Sequence, residues 1–176
     1  MEAFQQVSEH FLQKETALEE QPKVIHVFDR EGDISEVLAQ ACQLKNTGIV
    51  VRAAHNRGLQ DSNQHLWEYM AAQKVQLVVE VNLPETKNRS ARIATLEIKF
   101  GLVKLRVPLR LKNSDDFQVY AVYAQEINSP EPGEPVEWML LTTELVTTHQ
   151  EAAQILRWYT YRWRVEEYHK ILKSGC

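Results

Sequence analysis

Two short apolar runs, VIHVF at 24–28 and GIVVRAA at 48–54, constrain this chain more than any other feature. Both are rich in β-branched residues and lack polar alternation, the pattern of a strand covered on both faces. Between them, Asp33 and Glu36 stand three apart ahead of Val37 and Leu38. That capping-box spacing predicts a helix through about Leu44. A strand, a helix and a second strand in succession make a parallel crossover unit. The fold class expected is α/β.

Upstream, Phe4, Val7, Phe11 and Leu18 recur at helical spacing, which predicts an amphipathic helix over 3–20. Beyond Arg57 the pattern changes. HLWEYMAA (65–72) has helical character, and four β-type runs follow: VQLVVEV (75–81), ARIATLEIKF (91–100), LVKLRVPLRL (102–111) and FQVYAVYAQEI (117–127). The alternation in LEIKF and VKLRVPLRL is that of half-exposed antiparallel strands. Turn-like segments at LPETKNRS, Phe100-Gly101 and KNSDD separate the runs. NSPEPGEP (128–135) reads as an exposed loop and VEWMLLTT (136–143) as another buried strand. Thr148 with Glu151 caps a final helix to about Ser174. The expected organisation is a core in two parts, 1–57 and 136–176, with a β-rich insertion and loop over 58–135.

A chain of 176 residues with 44% apolar and 25% charged positions is long enough for one well-filled core. No apolar run approaches the roughly 18 residues needed to cross a bilayer, so no membrane role is expected. Cys42 and Cys176 have no metal-ligand spacing, which fits a reduced, cytoplasmic protein. The net charge of −4 argues against a general nucleic-acid binder. The charge is uneven, however: residues 1–36 carry −6 and the remainder +2. Within 157–173, Arg157, Arg162, Arg164, Lys170 and Lys173 face only Glu166 and Glu167. A local cationic site is compatible with an acidic whole.

On the last helix, Trp158, Tyr161, Val165, Tyr168 and Leu172 fall on one stripe, read as the core face. Tyr159, Arg162, Glu166, Lys170 and Lys173 share a second arc of roughly 80°. Glu–Arg and Glu–Lys pairs one turn apart would serve such an arc as a plain solvated face. Asp29 offers another use for it. It directly follows a buried strand, where open α/β sheets place ligands and reactive groups, with a turn residue ahead of the Asp33 cap as the alternative. Asp29 and Glu166, brought together, could share divalent cations, which prefer carboxylate oxygens. A metal pair about 3.5–4 Å apart clamps the attacking and leaving oxygens of phosphoryl transfer. The flanking cations would then hold phosphates.

VFDREGDI (27–34) resembles the second-aspartate motif of the bacterial DDE transposases of insertion-sequence family four, the group containing the transposase of transposon five. Tyr159, Arg162, Glu166 and Lys173 match that group's tyrosine-x2-arginine-x3-glutamate-x6-lysine signature. The resemblance runs from about Val24 to the C-terminus. It implies a ribonuclease-H-like core that cuts and rejoins DNA at transposon ends, acting as a dimer on DNA and using two Mg2+ ions. By the same resemblance Asp29 and Glu166 are the second and third metal carboxylates. Tyr159, Arg162 and Lys173 hold phosphates near the scissile bond, with Lys170 beside them. Trp138 resembles the group's base-stacking tryptophan, with a core tryptophan as the alternative. Arg52 resembles a DNA-contacting arginine, with an ordinary strand-end arginine as the alternative.

The match is incomplete in one respect. The group's first aspartate precedes the second on an upstream strand, and residues 1–28 contain no aspartate. The expectation is therefore a core fragment, with the first strands missing, that is inactive by itself. Two other readings stand beside it. One is a stand-alone metal-dependent nuclease, which would need Asp33 or Glu167 as a further ligand. The other is a non-enzymatic truncated transposase that binds or inhibits the full-length enzyme.

Overall fold

The computed structural model describes residues 22–44, 46–85, 90–106, 108, 111, 117–129 and 135–174, without the side chains at 117, 166, 167, 169–171, 173 and 174. The helix expected over 3–20 lies outside the described residues. VIHVF forms β1 (Val24–Phe28) and TGIVVR forms β2 (Thr47–Arg52), paired in parallel with Val24 opposite Thr47 and Phe28 opposite Val51. The crossover is α1 (Ser35–Gln43), reached from β1 through a 3-10 turn at Arg30–Gly32. The parallel unit read from the sequence is present.

Two details of that unit differ from expectation. β1 is half-buried rather than buried, because among the described residues it pairs only with β2 and stands at the sheet edge. Asp33 does not cap α1. Ile34 occupies the cap position without a side-chain bond, and the Asp33 carboxylate is turned instead toward the loop after β2.

The remaining elements are α2 (Leu66–Ala71), β3 (Leu77–Leu83), β4 (Arg92–Leu105), β5 (Phe117–Ile127), β6 (Glu137–Thr142) and α3 (His149–Ser174). All six strands form one sheet in the order β1-β2-β6-β5-β4-β3, and every pairing except β1 with β2 is antiparallel. The strands of the 58–135 segment are thus bonded into the same sheet as β1, β2 and β6. ARIATLEIKF and the first part of LVKLRVPLRL are one strand, with Gly101 paired opposite Ala121 and no turn at Phe100-Gly101. The alternation merely changes phase there. Ala94, Leu96, Ile98 and Phe100 are buried on one face, and Val103 and Leu105 on the other.

That phase change reflects a three-layer architecture. α1 and α2 cover one face of the sheet through Leu38, Ala41, Leu66 and Met70, packed on Ile49, Val51, Ala121 and Leu141. α3 covers the other through Ala152, Ile155, Leu156 and Tyr159, packed on Val50, Val122, Trp138 and Leu140. The central strands β2, β5 and β6 are therefore apolar on both sides, which explains their unbroken hydrophobic runs.

α3 opens with the reciprocal cap expected from its sequence. The Glu151 N–H donates to Thr148 Oγ1 at 3.2 Å, and the Thr148 N–H donates to Glu151 Oε2 at 2.9 Å. The core stripe expected further along is corrected. Tyr161, Val165, Tyr168 and Leu172 are exposed, and the buried line runs through Ala152, Ile155, Leu156 and Tyr159. Bulky apolar residues surround this helix, so periodicity alone supports more than one stripe. The sheet selects the line of smaller residues leading to Tyr159.

Candidate functional site

Asp29 leaves the carboxyl end of β1 in an extended conformation and opens the Arg30–Gly32 turn. The turn is tight: a Cβ on Gly32 would collide with the Phe28 side chain. The carboxylate is thereby held at the rim of the sheet, with 38% of its side chain exposed.

Three groups from distant parts of the chain reach Asp29. Tyr159 Oη donates to Asp29 Oδ1 at 3.3 Å. Arg162 Nη2 lies 3.4 Å from Asp29 Oδ2. Arg52 Nη1, from the adjacent end of β2, lies 4.0 Å from Oδ1, and its Nη2 donates to the Glu137 carbonyl at 3.2 Å. The structure thus brings together Asp29, Arg52, Tyr159 and Arg162, four of the eight residues singled out from the sequence. They come from β1, β2 and α3 because α3 lies across the sheet with its Tyr159 face inward.

Tyr159 is 1% exposed. Burial pushes its phenol above the ordinary range; Asp29 pushes the same way, while Arg52 and Arg162 pull it down. It is therefore a protonated donor to the Asp29 carboxylate at neutral pH. Arg162 lies over the Tyr159 ring, its guanidinium carbon 5.9 Å from the centroid. Trp138 is 4% exposed and packs edgewise on Tyr159 at 5.3 Å and on Trp163 at 5.5 Å. In this conformation its ring supports the tyrosine from behind.

Glu166 is on α3 one turn beyond Arg162, and Lys170 and Lys173 extend the same helical line. Their side chains lie outside the described residues, so the sequence expectation for these three rests on helical position.

Asp33 is not available as the further metal ligand that a stand-alone nuclease would need. It is 2% exposed, and its Oδ2 accepts the Ala54 and His55 N–H groups at 2.6 and 3.0 Å. Its Oδ1 is paired with Arg57, which also donates to the Asp33 carbonyl at 3.0 Å. This clamp joins the loops after β1 and β2, the two loops adjoining the Asp29–Arg52 pair. Sequence reading missed it. The only signal was an arginine in HNR shortly after a strand end.

Among the described residues no three His, Cys, Asp or Glu side chains gather as a ready metal cage. Asp29 fits one part of a hard-cation site, being a half-exposed carboxylate at a strand end. Chemically the cluster is a carboxylate held by cations that phosphate oxygens could equally engage. A family model described as Transposase DDE domain matches residues 6–176.

Proposed function

The chain belongs to the transposase DDE domain family, and from that premise we propose that Asp29 and Glu166 are two carboxylates of a ribonuclease-H-like core that cuts and rejoins DNA. The family acts in DNA transposition and uses divalent metal ions, commonly Mg2+. The finer assignment to insertion-sequence family four follows the Tyr159–Arg162–Glu166–Lys173 signature.

The observation that carries the reading is the contact of Tyr159 and Arg162 with Asp29 across a sequence separation of 130 residues. It puts the strand-end carboxylate beneath the helix whose next turn bears Glu166. Asp29 and Glu166 would hold the divalent pair, which when bound polarises phosphate oxygens and activates water. Tyr159 orients Asp29 by its hydrogen bond. Arg162 and Arg52 now face a carboxylate, and both would turn to the phosphates of an incoming strand. Lys170 and Lys173 continue that cationic line toward flanking phosphates. Trp138 keeps Tyr159 in place, and its base-stacking role would require the indole to leave the core. In this reading Asp29 and Glu166 are the two metal carboxylates that the motifs of this chain name.

The test is made in an active transposase carrying this core. Asp29→Asn and Glu166→Gln are each expected to lower Mg2+-dependent cleavage beyond the roughly 10–100-fold cost of losing an outer-shell partner. DNA binding in EDTA should persist. Near-normal cutting by either variant would overturn the assignment.

A further inference from the structure

A groove of about 850 Å3 follows the flank of α3 facing away from β1, between that helix and the hairpin β3–β4. Its helix wall carries Arg157, Tyr161 and Arg164, and its strand wall carries Asn82 and Arg92. Arg157 Nε donates to Tyr161 Oη at 2.7 Å, with its guanidinium carbon 5.8 Å from the ring centroid. The Arg164 guanidinium carbon is 4.8 Å from the same ring. Two arginines therefore hold a tyrosine that is 38% exposed. Arg92 is balanced by Glu126, with its Nη2 2.9 Å from Glu126 Oε2. Glu80 is the one carboxylate among the described lining residues. The groove is cationic although the protein is acidic.

The strand register places this groove at the same end of the sheet as Asp29. Leu83 pairs with Arg92, Thr95 with Ile127, Gln125 with Glu137, and Leu140 with Arg52. Guanidinium groups interleaved with aromatic rings suit an unpaired nucleic-acid strand, the first contacting phosphates and the second stacking on bases.

We propose that the groove between α3 and β3–β4 binds single-stranded nucleic acid, Arg157 and Arg164 contacting phosphates and Tyr161 stacking on a base. Placing that strand as the continuation of the one at Asp29 rests on the proposed function; the binding itself does not.

Fluorescence anisotropy of a labelled oligothymidylate, titrated with the purified chain in EDTA, tests this without any cleavage. Binding should weaken with salt. In Arg157→Ala/Arg164→Ala the slope of log affinity against log salt should fall by about 1.4, the share of two phosphates on a single strand. Tyr161→Ala should lose about 5- to 150-fold in affinity, and Tyr161→Phe should retain it. Arg157→Lys/Arg164→Lys should keep the salt slope, separating lost charge from misfolding. Absence of binding by the wild-type chain, an unchanged slope in the double alanine variant, or equal competition by duplex would each overturn the proposal. Such a failure leaves the Asp29 assignment standing. Persistent cleavage by Asp29→Asn would leave the groove standing.

Discussion

Asp33 is enclosed by the Ala54 and His55 N–H groups and the Arg57 guanidinium, whereas Asp29, four residues earlier, keeps over a third of its side chain in solvent. The two aspartates of DREGD are thus divided between a buried brace and a half-exposed carboxylate at the strand end. Removing one partner of a buried ion pair strands the other charge, at a cost of about 3–5 kcal/mol. Arg57→Ala is therefore expected to lower the melting temperature by about 10 °C, allowing some 2–4 °C per kcal/mol for a chain of this size. A fall of a degree or less would show that Asp33 does not depend on Arg57. Trp138→Ala should cost about 3–5 kcal/mol as a deleted core aromatic, measured by denaturant unfolding. In a transposase carrying this core, a variant that keeps its stability but loses the cutting and rejoining of transposon ends would instead give Trp138 the base-stacking role. Linear motifs single out Asp29, Tyr159 and Arg162, and the structure brings these three together with Arg52, which stands outside both motifs. Asp33 was misread because cap spacing is a local signal, and backbone donors 21 and 22 residues away claim its oxygens.

At the scale of elements, the beginning of α3 was legible and its orientation was not. Thr148 and Glu151 satisfy each other's backbone donors within one turn, so sequence spacing suffices to find the cap. Orientation depends on the sheet beneath, and Tyr161, Val165, Tyr168 and Leu172 form as regular a stripe as the one that is buried. β4 shows the same limit: its alternation changes phase at Gly101 because its two halves are covered on opposite faces, which a single sequence presents as a turn. The cap itself carries a pH signature. Backbone N–H groups of Thr147 and Thr148 hold the Glu151 carboxyl below its ordinary range. A group depressed in the folded state stabilises above its unfolded value and loses that contribution as pH falls through the folded one. Glu151→Gln should therefore melt lower than wild type at neutral pH and converge with it in acid. Parallel melting curves at every pH would show that the carboxylate adds nothing to the cap.

Across the whole molecule, β2, β6 and β5 are buried on both faces, while β1 and β3 bound the described sheet. Amide exchange should accordingly be slowest at Val50, Val51, Val122 and Leu140, and faster by orders of magnitude along β1 and β3. Uniform protection across the six strands would contradict this arrangement. Sequence located the apolar strands, but their order was beyond it, since nothing local in GIVVR or EWMLLT says that Arg52 will face Leu140. The meeting of Asp29 with Tyr159 also has a consequence in time. At roughly 5–20 residues per second, a ribosome needs about 7–25 s after making the aspartate to deliver its tyrosine partner. Until then the nascent product has no assembled centre, and a message broken before the codons for α3 yields a polypeptide without one. Translation itself therefore delays the meeting of this carboxylate with its tyrosine and arginine neighbours.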